Sequence, residues 1–332
     1  MSRTVSVITG GAGFIGSHLV DVLLERGHDV RVIDDLSGGH KSNLDHHASN
    51  PKLSCHWLDI NTLTPDNTAF KDATYCFHLA GIGDIVPSIE KPEQYMQTNV
   101  QGTVRVLEAA RAANVQKLVY ASSSSCYGLA DTPTTEDHKI QPLYPYALSK
   151  YLGEMSVFHW GKLYDLPVNA ICIFNAYGTR VRTTGAYGAV FGVFLKQLLS
   201  GKPFTVVGDG TQSRDFVYVT DVAKAFLAAA ESSVNGERFN IGAGKPQSIN
   251  YLVELLGAKE INYVPKRPGE PDVTFADISK AKKILGWQPE VPFEEGVQKM
   301  LADRDRWSNA PLWDVESISK ATETWFKYMA RA

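Results

Sequence analysis

The chain is poor in cysteine, with four in 332 residues, and Cys55, Cys76, Cys126 and Cys172 show no C-x-x-C spacing. Each sits in a mostly apolar, strand-like context, which favours buried free thiols over a disulfide framework or a zinc site. No metal centre is expected. An excess of one charge is also missing: 33 Lys and Arg stand against 36 Asp and Glu, for a net charge of −3, and the signs are interspersed. Without a basic stripe or a block of like charge, nucleic acid and other polyanionic partners are not expected. No apolar run reaches the ~18 residues of a membrane span. The N-terminus enters a hydrophobic stretch at Val5 with no basic region and no small-residue cleavage site, so a cytoplasmic protein away from the membrane is expected. Internal repeats and low-complexity segments are absent too. What remains is an ordinary globular composition, 44% hydrophobic and 21% charged, long enough for two domains or one domain with a lobe.

"TVSVITGGAGFIGSHLVDVLLERGHDVRVIDDLS" reads as strand, glycine turn, amphipathic helix and strand, with Ile15, Leu19, Val22 and Leu23 at helical spacing and a stop near Gly27. The alternation continues through Leu53 to Trp57, Thr74 to Leu79, a helix from Glu93 to Ala113, Leu118 to Ser122, a helix from Tyr146 to Tyr164, and Val168 to Phe174. That rhythm predicts an α/β protein with a doubly wound parallel sheet covered on both faces. After Asn175 it loosens. Gly and Thr cluster at 178 to 188, a helix is expected from Ala189 to Ser200, and short elements follow between Pro/Gly breaks. The expectation is a dinucleotide-binding Rossmann domain over residues 1–174, to which the segment 214–241 returns. Residues 175–332 would then form a smaller α+β substrate-binding lobe with a helical tail. The tail carries Trp307, Trp313, Trp325, Phe326 and Tyr328, and aromatics at helix spacing are read as core or interface rather than chemistry.

Gly10, Gly13 and Gly16 form G-x-x-G-x-x-G between the first strand and the first helix. In that context glycine lets the backbone turn tightly against a pyrophosphate, while the helix N-terminus at Phe14 and Ile15 offers free N–H groups and positive charge. Asp34 follows 18 residues after Gly16 at the end of the second strand, where a carboxylate takes an adenosine ribose and repels a 2′-phosphate. NAD is therefore expected rather than NADP. A second feature is the Tyr146 and Lys150 pair in "LYPYALSKYLGE". At i and i+4 both side chains share a helix face, and a neighbouring ammonium is expected to lower the phenol's pKa and make it a base. The spacing alone is weak, because 14 tyrosines and 20 lysines in 332 residues make about one such match by chance.

Together these motifs resemble the extended short-chain dehydrogenase/reductase superfamily, and within it the NAD-dependent sugar-nucleotide epimerases and dehydratases. The resemblance spans almost the whole chain. It rests on "TGGAGFIGSH", "DDLSGG", "HLAG" at 78–81, "TNVQGT" at 98–103, "ASSSSCYG" at 121–128, "YPYALSK", "FNAYGTR" at 174–180, "GDGTQSRDFVYVTDV" and "RPGEPDVTFADISKAKKILGW".

The resemblance implies Tyr146 as catalytic acid/base, Lys150 on the nicotinamide ribose, and Ser123 as the proton relay between a sugar hydroxyl and the phenol. Ser124 and Ser125 would touch substrate. It further implies Asp34 and Asp35 at the adenosine, Asp59 and Ile60 near the adenine, Leu79, Ala80 and Gly81 under the pyrophosphate, and Asn99 on the helix beside the cofactor. His78 is read as structural. Asn175, Arg214 and Arg267 match the residues that hold the substrate diphosphate, a task that guanidinium forks suit, and Arg180 is a weaker candidate.

In the family's 4,6-dehydratases an Asp-Glu pair stands where this chain has Ser124 and Ser125, and without that acid pair water is not readily expelled. C4 epimerisation of a UDP-hexose through a 4-keto intermediate is what the resemblance then implies, closest to the UDP-glucose and UDP-N-acetylglucosamine 4-epimerases. Thr274 stands where those epimerases carry either a bulky Tyr or a small residue that admits an N-acetyl group, so UDP-GlcNAc/UDP-GalNAc is expected beside UDP-Glc/UDP-Gal, or the uronates. Other reactions of the scaffold remain open, namely a 2-epimerase, a 4,6-dehydratase, a decarboxylating synthase and a ketoreductase. A non-catalytic NAD(H)-binding regulator is the alternative of another class. A homodimer through a four-helix bundle is implied as well; Val104, Leu107, Ala110, Leu148, Leu152 and Met155 could supply its face, though core packing explains them too.

Overall fold

The computed structural model describes residues 3–184 and 190–330. Ala189, where a helix is expected to begin, and residues 185–188 of the Gly/Thr cluster lie outside the described residues.

Seven strands make one parallel sheet: β1 (Val5–Thr9), β2 (Asp29–Asp34), β3 (Leu53–Trp57), β4 (Tyr75–His78), β5 (Lys117–Ser123), β6 (Val168–Ile173) and β7 (Glu237–Ile241). Their spatial order is β7-β6-β5-β4-β1-β2-β3. Because side chains alternate along a strand, Ile8, Val119 and Ile171 enter one core with helix α1 (Phe14–Glu25) and the Val219–Glu231 helix. Their neighbours Val7, Leu118, Tyr120 and Ala170 enter a second core on the other face, with the helices Gly102–Ala112 and Pro145–Tyr164. Both faces are covered, which explains strands that read as continuous apolar runs. The order reverses between β1 and β4, and ligands of such sheets bind outside the carboxyl ends of the strands at that switch point.

A third core joins Phe191, Phe194 and Leu195 of the Val190–Leu199 helix to Phe204, Leu252, Val297 and Trp307. Around it lie small strand pairs: Asn175–Tyr177 with Phe216–Tyr218, Phe204–Val207 with Ile261–Val264, and Ser213–Arg214 with Gln247–Ser248. Between these pieces the chain re-enters the large layers through the Val219–Glu231 helix and β7, which pairs with β6.

The helix expected from Glu93 to Ala113 is a run of Pro92–Met96, a π turn over Gln97–Gln101 and Gly102–Ala112. Leu107 and Ala110, open between a dimer face and core packing, are fully buried in the second core, because they lie on the side of that helix that meets the sheet. Among the described residues no helix is long and apolar enough to cross a membrane, and all four cysteines are free thiols.

Candidate active site

A cavity of about 840 Å³ runs along the carboxyl ends of β1, β2, β4, β5 and β6 and on between the small strand pairs. Its first end is made of backbone. Gly10 has φ +73°, a left-handed value, and a Cβ on it would meet the Ala80 nitrogen at 2.7 Å. At Gly16 a Cβ would lie 2.1 Å from the Gly10 carbonyl. Only glycine lets the turn, the end of β4 and the first turn of α1 close this tightly. Gly13 caps α1 without a side-chain bond, so the amides of Phe14 and Ile15 open onto the cavity with the helix dipole behind them.

Asp34 is buried at the wall, where its carboxylate accepts from Ala12 N at 2.9 Å and Leu36 N at 2.8 Å. Burial raises its pKa against these two bonds, and each oxygen keeps a lone pair for a ribose hydroxyl. Asp35, Asp59, Ile60, Leu79, Ala80 and Gly81 line the same end. These groups fit a dinucleotide: an anion cradle of free amides, a carboxylate that accepts from hydroxyls, and an apolar wall.

Asn99 lies behind the wall next to Gly81, and its carboxamide binds protein groups: Oδ1 accepts from Ile82 N at 2.8 Å, while Nδ2 donates to the Ile82 carbonyl at 3.0 Å and to Ser149 Oγ at 2.9 Å. It ties the loop after β4 to the tyrosine helix from behind. His78 bonds Thr9 and Thr103 at 2.7 and 2.9 Å, and burial lowers its pKa to about 3. It is a neutral bridge in the core.

The middle of the cavity holds the expected trio. Pro at the start of the helix Pro145–Tyr164 sets its first turn, which puts Tyr146 and Lys150 on the wall opposite the end of β5. Ser123 sits beside the Tyr146 phenol and accepts from Ser125 N at 3.2 Å. The expected direction of the phenol's pKa is not observed. Burial raises it, and the nearby Ser123 hydroxyl is the main influence opposing that rise. Lys150 has itself been pushed down to about 8 by burial, and its Nζ sits 4.4 Å from the centre of the Tyr120 ring. The i, i+4 spacing does set both groups on one face, but burial outweighs the neighbouring charge.

The far end is made of side chains from distant segments. Arg214 is buried and donates to the Ser213 carbonyl at 2.9 Å and to Glu270 Oε1 at 2.8 Å. Arg267 pairs with the other Glu270 oxygen at 3.7 Å, so Glu270 bridges the two guanidinium groups. Thr274 Oγ1 accepts from Asp215 N at 3.1 Å and therefore uses its one proton toward Asn175 Oδ1 at 2.7 Å. This engages the amide oxygen of Asn175, which lines the cavity, and leaves its N–H groups as the side chain's remaining donors. Arg180 is a correction. It pairs with Asp21 at 2.8 Å and donates to the Ser17 carbonyl at 3.1 Å, on α1, and does not line the cavity. Asp21 also accepts from His46 and His47 at 2.8 Å each. This is the one His/Asp group with metal-like spacing among the described residues, and the Arg180 charge already satisfies it.

Sequence reasoning missed several wall residues. Tyr144 stacks parallel to Tyr146 with ring centres 6.4 Å apart, Arg182 donates to both Asp84 oxygens at 2.8 and 2.7 Å, and Trp325 comes from the C-terminal helix. No local pattern marks them, apart from the place of Tyr144 beside Pro145.

Residues 6–242 match the sequence profile of the NAD dependent epimerase/dehydratase family. The chain is 39% identical over 305 residues to a UDP-glucose 4-epimerase of Mycolicibacterium smegmatis, covering 89% of this chain and 97% of that one. Among solved structures it is similar to a UDP-N-acetylglucosamine 4-epimerase from Methanobrevibacter ruminantium in complex with UDP-N-acetylmuramic acid, with TM-score 0.86, 32% identity and coverage of 93% and 99%. It is also similar to a UDP-glucuronic acid 4-epimerase from Bacillus cereus in complex with UDP-glucuronic acid and NAD, with TM-score 0.85, 31% identity and coverage of 91% and 99%. The chain belongs to the NAD-dependent epimerase/dehydratase family, and its cofactor is NAD.

Proposed function

We propose that the protein catalyses C4 epimerisation of a UDP-hexose through a transient 4-keto sugar. The observation that carries this reading is that Ser123, Tyr146 and Lys150 line one cavity with the glycine cradle on one side and Arg214, Arg267 and Asn175 on the other. Similar proteins named as epimerases of UDP-glucose, UDP-GlcNAc and UDP-glucuronic acid support it.

NAD, which the glycine cradle, Asp34 and Lys150 would hold, would supply a reversible hydride acceptor at the sugar C4. The side chains handle the proton. Tyr146 takes the C4 hydroxyl proton, a role that requires the positive charge of Lys150 and of the bound cofactor to offset the burial that raises its pKa, and returns it to the ketone oxygen once the sugar has turned. Ser123 has one lone pair fixed on the Ser125 amide, leaving its proton and second lone pair to link phenol and sugar hydroxyl. Lys150 holds the ribose end of the cofactor. Arg214, Arg267 and Asn175 grip the diphosphate, so binding energy far from C4 anchors the nucleotide while the hexose stays free to rotate. Ser124 and Ser125 supply no acid for dehydration.

The small Thr274 supports acceptance of N-acetylated hexoses. Thr274→Tyr is expected to abolish turnover of UDP-GlcNAc while sparing UDP-glucose, and equal loss of both would sink that assignment. A second reading, a uronate, is favoured by Arg182, a wall cation whose Asp84 partner a sugar carboxylate could replace. Arg182→Gln would then impair UDP-glucuronate far more than UDP-glucose. Incubation with UDP-glucose, UDP-GlcNAc and UDP-glucuronate, with the sugar H4 coupling followed by NMR, tests the whole reading. No axial/equatorial interchange with any of the three overturns it. The exposed Leu148 and Met155, with Val104 and Leu152, support a homodimer through this helix pair, which light scattering on the purified protein would read directly.

A further inference from the structure

The C-terminal helix Val315–Met329 docks through one stripe, Ile318, Thr322, Trp325 and Met329. It spans both sides of the cleft. On one side Thr324 donates to Glu90 at 3.0 Å, at the end of the short helix Ile85–Glu90 that follows β4. On the other, Met329 closes over Gly269, where an added Cβ would meet its Cε at 2.9 Å. Of the four docking residues only Trp325 lines the cavity. Its indole N–H donates to the Pro268 carbonyl at 2.7 Å, which uses up the ring's polar handle next to Arg267 and leaves its face apolar. That ring lies 5.7 Å from the Tyr144 ring, which in turn lies parallel to Tyr146 at 6.4 Å. Three aromatic rings thus step from the candidate base to the arginine loop along one wall.

We propose that Trp325 is a substrate-contact residue, whose indole face and the Tyr144 ring form the wall on which the apolar C–H face of the hexose packs. The proposal rests on the UDP-hexose reading above. It explains why a helix otherwise docked by Ile, Thr and Met carries a tryptophan where its stripe meets the cavity. An aromatic face holds a pyranose without hydrogen bonds that fix its azimuth, as a sugar that must turn over between two hydride transfers requires.

The test compares Trp325→Leu and Trp325→Phe with the wild-type protein, measuring Kd for UDP alone and for UDP-glucose, UDP-GlcNAc and UDP-glucuronate by calorimetry. Tm and bound NAD serve as controls. A hexose contact predicts that Trp325→Leu weakens the UDP-sugars by about 5- to 10-fold and leaves UDP unchanged, while Trp325→Phe keeps the preference for UDP-sugars over UDP. Equal weakening of UDP and UDP-sugars would mean that the helix acts only through the Arg267 loop, and would overturn the proposal. So would unchanged affinity for every ligand in Trp325→Leu. Wild-type protein that binds none of these ligands overturns the UDP-hexose reading itself, a result distinct from both.

Discussion

The two ends of the cavity are built from different materials. At the cofactor end the contacts come from main chain: Gly10, Gly13 and Gly16, the first amides of α1, and the strand end at Leu79–Gly81, with Asp34 as the principal side chain. The other end is lined by side chains on segments far apart in sequence, Asn175, Arg182, Arg214, Arg267, Thr274 and Trp325, the end proposed to take the substrate. A pyrophosphate is recognised by a backbone shape that only certain residues permit. A sugar is recognised by side chains that many residues could replace. The first end is therefore intolerant and uniform, and the second can be retuned.

The sharpest way to separate the ends is to remove chemistry while leaving both binding surfaces in place. Tyr146→Phe is expected to lower kcat by about 10²- to 10⁴-fold with bound NAD and UDP affinity retained; near wild-type turnover would remove Tyr146 from its role. Gly16→Ala attacks the backbone end, since its Cβ would lie 2.1 Å from the Gly10 carbonyl. NAD retention should be lost on gel filtration, with destabilisation of roughly 3 kcal/mol or more from steric strain, and a variant that keeps its NAD would show that the cradle is looser than its geometry.

Lys150→Met probes the seam between the ends through stability. The Lys150 pKa lies at about 8 in the fold against an ordinary 10.5, so the folded state binds fewer protons than the unfolded one between those values. Stability from this group is therefore complete above pH 10.5 and is lost as pH falls to about 8. The methionine variant is expected to be inactive yet more stable at pH 7, by on the order of 3 kcal/mol, and to show a flatter Tm profile from pH 8 to 10.5. A drop in Tm at pH 7 would contradict it. Smallest is Thr274→Val, which removes the proton that orients Asn175. KM for UDP-sugars should rise about 5-fold with kcat little changed and NAD binding intact, and Thr274→Ser should restore it.

The fold was largely legible from periodicity, because parallel strands buried on both faces read as apolar runs and the glycine turn marks where the first one ends. Asp34, Ser123, Tyr146 and Lys150 were legible because each sits at a set distance from a strand end or helix start. What was not legible was side-chain direction. The sequence names Asn99 and Arg180, but not that the first turns its carboxamide to Ile82 and Ser149 and the second its guanidinium to Asp21.

By itself, then, the sequence determined the architecture, the choice of NAD and the presence of a phenol and an ammonium on one helix face, since these follow from short-range sterics and spacing. Tertiary structure decided the rest. It set the sign of the Tyr146 shift, because burial depends on what the rest of the chain packs around the phenol. It tied the carboxamide of Asn99 to a loop and gave the Asn175 amide oxygen the Thr274 hydroxyl as its partner. And it carried Trp325, 179 residues beyond Tyr146 in the chain, to the same wall, a proximity that only long-range packing creates.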